Sequence, residues 1–162
     1  MGCRGVHFAL TPADTDALLS AADDDQVLGV IQEDVEERWE VEGLFESDKA
    51  WDAIHRCLTD GSLAADGSIL GKCILGGRQL HKGSNHIVCF LDSSETRAVA
   101  EALKPIEEVW MRRRYDALAS TEYDGPMGDE DFEYTWEYFD GLREFFRRAA
   151  LDGRPVVFTV GQ

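Results

Sequence analysis

Residues 86–91, HIVCFL, form a nearly uninterrupted apolar stretch, whereas most apolar residues elsewhere in the chain are spaced at intervals. A strand of this composition is typical of a sheet that is covered on both faces, because side chains on each side of it avoid water. The stretch therefore predicts a central strand with packing layers on both sides. Two further strands are predicted over residues 3–10 and 155–160, and a doubtful one over residues 69–75.

Helical patterns occupy most of the remaining chain. Apolar residues recur at three- and four-residue spacings, and Ser, Thr or Asp stands where most of the helices would begin. About six helices are predicted, at residues 12–22, 23–42, 48–59 (capped by Ser47), 93–104, 106–119 and 129–152, with a loop over 76–85. The strands are too few and too far apart for a regular alternating parallel fold. The sequence therefore predicts a single α+β domain, residues 1–162, with a small mixed β-sheet packed by about six helices.

The charge of the chain restricts its partners. Its 32 acidic and 16 basic residues give a formal net charge of −16. Such a field repels polyanions, so neither nucleic acid nor an anionic membrane is expected as a partner. No apolar run approaches the roughly 18 residues that a membrane span requires. A basic protein is a possible partner, because long-range attraction speeds its association with an acidic surface.

The cysteine pattern indicates an intracellular protein without a disulfide framework. Cys3, Cys57, Cys73 and Cys89 are widely spaced and form no CxxC motif. We expect reduced thiols and a cytoplasmic location, since the start of the chain also lacks the layout of a secretion signal. His and Cys residues lie at no compact ligand spacing, so neither a metal nor another cofactor is predicted.

Several segments of the chain carry a resemblance to a known family. In order they are MGCRGVHFALTPAD, LFESDKAWDAIHRCLTDG, the ILGG that follows it, LDSSETRAVAEAL and EYFDGLREFFRRAALDGRPVVFTV. Together they resemble the bacterial YfbM-like family over nearly the whole chain, and DKAWDAIHRCLT and ILGG are the most specific parts. The resemblance implies a small α+β domain of unknown function. It carries over no site residue.

A cationic segment interrupts this acidic chain. Residues 67–91 contain five glycines and no Asp or Glu, and their basic residues are Lys72, Arg78 and Lys82. Glycines allow successive backbone N–H groups to converge on an anion, and arginine offers paired donors. The GGRQLHKG loop is therefore predicted to bind a phosphate or carboxylate, and the candidate ligand-binding residues are Arg78, Lys82, Gly76, Gly77 and, from a neighbouring helix, Trp51. The alternative is that the protein's own acidic helices neutralise the loop.

Three histidines, His55, His81 and His86, are candidate acid–base residues. His55 lies on one helical face with Trp51, Ile54 and Leu58. It either lines a pocket beside Trp51 or is held in the core by a backbone carbonyl. The other two histidines lie in the cationic segment.

Two functional classes fit these features. The preferred prediction is a small acidic binding module that takes a basic protein or a small anionic ligand. The alternative is a small-molecule enzyme with a histidine acid–base and Arg78 as an anion anchor. Convergence of His55, Arg78 and a histidine of residues 81–86 in one concave pocket would favour the enzyme or a ligand-binding site, and their separation would favour interaction with a partner.

Overall fold

The computed structural model of the protein describes residues 3–38 and 43–161. Its strands are β1 (Gly5–Ala9), β2 (Leu44–Asp48), β3 (Arg78–Gln79), β4 (His86–Leu91) and β5 (Val156–Gly161). Its α-helices are α1 (Pro12–Leu19), α2 (Asp24–Gly29), α3 (Ala50–Leu58), α4 (Ser93–Leu103), α5 (Glu108–Asp116) and α6 (Asp129–Leu151). A π-helix (Val30–Glu36) continues α2, and 3₁₀ turns occupy Gly71–Cys73 and Ala117–Ser120.

The five strands form one sheet in the order β2-β1-β5-β4-β3. The α+β class predicted from the sequence is confirmed, but the prediction of a mixed sheet is wrong. Every neighbouring pair of strands is antiparallel. An apolar strand that is covered on both faces has the same composition whether its neighbours run parallel or antiparallel, so the sequence pattern carries no information on direction.

Helical layers cover both faces of the sheet. Along β5, Phe158 faces a larger core formed with α3, α4, α5 and α6. Val157 faces a smaller core, in which Phe8, Val88 and Phe90 pack against Leu18 and side chains of α2 and the π-helix. The prediction that residues 86–91 are covered on both faces is confirmed, although β5 rather than β4 holds the middle position of the five strands.

Capping residues place several helix starts where the sequence predicts them. The Thr11 side chain accepts the backbone N–H of Asp14 at the start of α1. At α4, the Asp92 carboxylate accepts the backbone N–H of Glu95, and the Glu95 side chain accepts the N–H of Asp92 in return. Such reciprocal capping satisfies two N–H groups that a helix leaves unpaired.

Three local predictions are wrong. Ser47 does not cap a helix; it is buried in β2, and its hydroxyl donates to the carbonyl of Gly5. Ser followed by Asp suits a strand end as well as a helix start, so residue type alone does not decide between them. Residues 69–75 contain a 3₁₀ turn instead of a strand, and the predicted loop over 76–85 contains the two-residue strand β3. The end of the second predicted helix, residues 39–42, lies outside the described residues.

His7 is buried in the larger core, where its ring contacts Phe145, Phe146 and Phe158. Its Nε2 lies 2.7 Å from the carbonyl oxygen of Cys73, so Nε2 carries the proton and donates it. Among the described residues Nδ1 has no hydrogen-bond partner. Burial lowers the pKa of His7 from 6.5 to about 4, since a charged imidazole would lose its hydration.

The depressed pKa of His7 predicts a pH-dependent stability. As the pH falls below 6.5, the unfolded chain takes up a proton that the folded protein does not accept until about pH 4. Neutral His7 therefore makes its full contribution to stability above pH 6.5. The free energy of unfolding decreases by about 3 kcal/mol as the pH falls from 6.5 toward 4. Urea denaturation between pH 7 and pH 4.5 should show a weaker pH dependence for His7→Leu than for the unmodified protein.

Cys57→Ala is the control for that experiment. It also removes buried side-chain volume, but the pKa of the Cys57 thiol is raised by burial to about 12, so the residue does not titrate in this range. The control should be destabilised and keep the original pH dependence. A His7→Leu profile parallel to that of the unmodified protein would contradict the assignment to His7.

Candidate functional site

A cleft of about 550 Å³ lies between the α1–α2 layer and the β3–β4 hairpin, and is called here the hairpin cleft. Arg78 and Lys82 line it on the hairpin side, and Asp23, Asp24 and Asp25 line it at the start of α2. The remaining lining is mostly apolar and includes Leu18, Leu19, Ala21, Val27 and Leu80. The cleft therefore combines two charged sides of opposite sign with an apolar floor.

Strand pairing directs Arg78 into the hairpin cleft. Arg78 stands opposite Phe90 in the antiparallel β3–β4 pair, and residues opposite each other project to the same face of a sheet. Phe90 belongs to the smaller core, on the face that α1 and α2 cover. Arg78 and Lys82 are exposed, and neither side chain forms an ion pair with a residue in the described ranges. The Arg78 charge is thus available to a ligand, whereas the Lys82 ammonium also attracts the Asp24 carboxylate without forming an ion pair with it.

The hairpin loop binds an anion, and that anion is the protein's own Asp24. The backbone N–H of Lys82 donates to Oδ1 of Asp24 (2.8 Å), and the N–H of Gly83 donates to Oδ2 (2.9 Å). These hydrogen bonds lower the pKa of Asp24, so its carboxylate stays ionised. The predicted convergence of backbone N–H groups therefore exists, but it ties the hairpin to α2.

Gly76 and Gly77 shape the turn that leads into β3 and are not among the cleft-lining residues. A Cβ atom on Gly76 would lie 2.5 Å from the Cα of Lys72. Gly77 has a φ of +77°, and a Cβ there would lie 2.4 Å from the carbonyl oxygen of Phe90. Without a side chain, Gly76 packs closely against the 3₁₀ turn of residues 71–73, and Gly77 packs closely against β4.

A comparison of Gly77→Ala with Gly67→Ala distinguishes the energetic cost of close packing from the cost of the backbone conformation. Gly67 has a similar φ of +75°, but a Cβ there would meet nothing within 4 Å. Both variants should lose about 1 kcal/mol through left-handed strain. Gly77→Ala should lose a further ~1–3 kcal/mol, because the new methyl group pushes β3 from β4. Urea denaturation measures both losses, and equal values would contradict this role of Gly77.

His55 and Trp51 lie on the other side of the sheet from Arg78. Both belong to α3, which packs in the larger core. His55 is buried, and its Nε2 donates to the carbonyl of Ala64 at 2.9 Å. Burial lowers the pKa of His55, which keeps the ring neutral. The Trp51 indole donates to the carbonyl of Cys3, and its ring lines a separate cavity of about 250 Å³.

His81 and His86 form a pair behind the hairpin cleft, with ring centroids 5.6 Å apart. The buried His81 ring donates from Nδ1 to the carbonyl of Gly83 (3.1 Å), and its Nε2 lies 3.8 Å from Oδ2 of Asp24. The Nδ1 atom of His86 has no hydrogen-bond partner in the described part of the chain. Burial raises the pKa of Glu36, and the nearby His86 opposes that rise. Neither histidine lines the cleft.

Asp24 and Asp25 are the site residues that sequence reasoning missed. Residues 23–25 are recognisable as a helix start, and their second role depends on the cationic hairpin 58 residues further along the chain. The available signal was a run of three carboxylates in one part of the chain and a carboxylate-free basic segment in another. That signal indicates that the two segments carry complementary charge, but it does not show which of their residues are in contact.

No group of three or more His, Cys, Asp or Glu side chains within residues 3–38 and 43–161 is placed to hold a metal ion. In the same ranges, no helix has both the length and the apolar character needed to cross a bilayer.

The fold and the hairpin cleft define a class of α+β domains in which helices cover both faces of an antiparallel sheet. The chain belongs to the family described as a domain of unknown function, DUF1877, whose sequence profile matches residues 1–159. Its structure is similar to the crystal structure of YfbM from Escherichia coli, a protein of unknown function. The two share 16% sequence identity with a TM-score of 0.72, over 97% of this chain and 99% of that one.

The predicted YfbM-like resemblance is thereby confirmed. No curated protein is detectably similar to the chain. At 16% identity, the likeness to YfbM establishes the fold alone.

Proposed function

We propose that the protein is a small-molecule binding module, and that the hairpin cleft holds the anionic group of the ligand through Arg78 and Lys82. The observation that carries this proposal is that both cations line one cleft while neither is paired with a described carboxylate. A guanidinium group presents paired donors that match a carboxylate or phosphate. The cleft volume of about 550 Å³ is in the range that small-molecule sites occupy.

Binding is better supported than catalysis. A histidine acid–base would have to contact a ligand that is anchored on Arg78. His55 lies in the opposite core, and the ring of His81 lies behind Asp24 with only 3% of its side chain exposed. None of the three candidate histidines lines the cleft. Their separation from Arg78 does not support a histidine acid–base, and the binding proposal depends on Arg78 and Lys82 alone.

We also propose that this module works in the cytoplasm. All four cysteines are free thiols, and Cys57, Cys73 and Cys89 are buried. Unpaired thiols are typical of proteins that work in a reducing compartment.

A thermal-shift screen tests the proposed function. The probes are inorganic phosphate, sulfate, nucleotides and phosphorylated metabolites, and a ligand at about 100 times its Kd should raise the Tm by roughly 5–10 °C. Arg78→Gln should abolish most of that rise. The control is Arg97→Gln, because Arg97 is also exposed and unpaired in the described structure but belongs to α4, away from the cleft. Equal ligand-induced shifts in the two variants would contradict a role for Arg78.

A basic protein partner is the second candidate function. The observation that favours it is the composition of residues 11–37, called here the acidic layer, which hold nine carboxylates and no Lys or Arg. α1, α2 and the π-helix within it form the outer cover of the smaller core. Such a surface attracts a basic partner over a distance set by the ionic strength.

Charge-neutralising pairs test that second candidate. Glu33→Gln with Asp34→Asn removes two exposed charges of the acidic layer, and Glu107→Gln with Glu108→Gln removes two exposed charges near α5. Fluorescence anisotropy with a labelled lysine-rich peptide at 0.15 M salt should show about a threefold weaker Kd for the first pair only. Equal weakening by both pairs would indicate attraction by net charge alone and would contradict a role for this surface.

A further inference from the structure

We infer that the ligand of the hairpin cleft is a small zwitterion, with its anionic group on Arg78 and Lys82 and an ammonium group on Asp25. This inference rests on the proposed function and names the chemical class of its ligand. It follows from the unequal roles of the three carboxylates that line the cleft.

Two of those carboxylates already accept hydrogen bonds from the protein's own backbone. Asp23 caps α2 by accepting the backbone N–H of Gln26 at 2.9 Å. Asp24 receives hydrogen bonds on both oxygens, from Lys82 and Gly83. Because these contacts hold the helix start and the hairpin, neither carboxylate can turn toward a ligand without losing them.

Asp25 is in a different position. It is exposed, it lines the cleft, and its side chain makes no hydrogen bond or ion pair with a residue in the described ranges. It also forms no ion pair with Arg78 or Lys82, although all three line one cavity. Available charges of opposite sign therefore face the same space without neutralising each other.

This distribution of charge discriminates between ligands. A purely anionic ligand would be attracted by Arg78 and Lys82 and repelled by the carboxylates of Asp24 and Asp25. A zwitterion pairs with both sides, so the carboxylate that opposes a simple anion becomes a contact. The apolar floor, which includes Leu18, Val27 and Leu80, suits the short methylene segment that joins the two charged groups.

Matched pairs of small probes test the inference by isothermal titration calorimetry. The zwitterions are phosphoethanolamine, taurine and 3-aminopropionate, and each is compared with its counterpart that lacks the ammonium group: ethyl phosphate, ethanesulfonate and propionate. In at least one pair, the zwitterion should bind about tenfold more tightly than its counterpart, as expected for one charge-assisted hydrogen bond.

Substitutions test which residue binds each charged group of the ligand. Asp25→Asn should reduce the preference for the zwitterion to about twofold or less, with equal or higher affinity for the anionic counterpart, because the substitution removes a charge that repels it. Asp16→Asn is the matched control, because Asp16 is exposed on α1 and does not line the cleft. It makes the same change in net charge and should keep the preference. Arg78→Gln should weaken both members of the pair.

The outcomes separate this inference from the proposed function. If zwitterion and anion bind equally and both depend on Arg78, the zwitterion class is wrong and the anion-binding function stands. If the preference is present but survives Asp25→Asn, the assignment of the ammonium group to Asp25 is wrong. If no probe binds, the zwitterion class is overturned. Binding that Arg78→Gln leaves unchanged would overturn the proposed function itself.

Discussion

The two-sided burial of β5 is the constraint on which the rest of the structure depends. Val157 and Phe158 are successive residues, yet they point into different cores because side chains alternate along a strand. β5 pairs with β1 on one side and β4 on the other, so the last strand of the chain joins the first strand to the middle of the sequence. Both helical layers are organised by this one strand, and the hairpin cleft lies where the acidic layer meets β3 at the sheet edge.

The Asp24 carboxylate connects that architecture to the candidate site. It accepts two backbone N–H groups of the hairpin, and it thereby holds the cationic segment against the acidic layer. The backbone satisfies Asp24 and leaves the side chains of Arg78 and Lys82 unpaired at the cleft. Asp24 of the acidic layer thus accepts the backbone N–H groups of the loop, while the Arg78 guanidinium forms no ion pair with a described residue. The alternative in which the protein's own acidic residues satisfy the loop is thus partly present through Asp24, and ligand binding by the segment stays a prediction.

The predictions from sequence succeeded where local patterns were sufficient. The cap residues Thr11 and Asp92 located two helix starts, and the apolar run of residues 86–91 showed that both faces of the sheet are covered. The predictions failed where the structural role of a residue depends on a partner that is distant in the sequence. Ser47, predicted to cap a helix, is a strand residue because β2 pairs with β1. His7, for whose side chain the sequence carries no prediction, is a core residue because Phe145 and Phe146 of α6 cover it. Neither of these contacts can be predicted from the residues next to Ser47 or His7 in the sequence.

The same division applies to the protein as a whole. The sequence by itself determined the α+β class, the acidic character and the presence of a basic, carboxylate-free segment, since each depends on composition or on spacing within one element. The family was indicated by resemblance, through segments that follow one another in order along the chain. Only the tertiary structure decided that the sheet is antiparallel, that Asp24 occupies the loop, and that Arg78, Lys82 and Asp25 line one cleft while His55 lies across the sheet. Strand direction and charge pairing join residues that are far apart in the chain, and their geometry exists only once the two cores have packed.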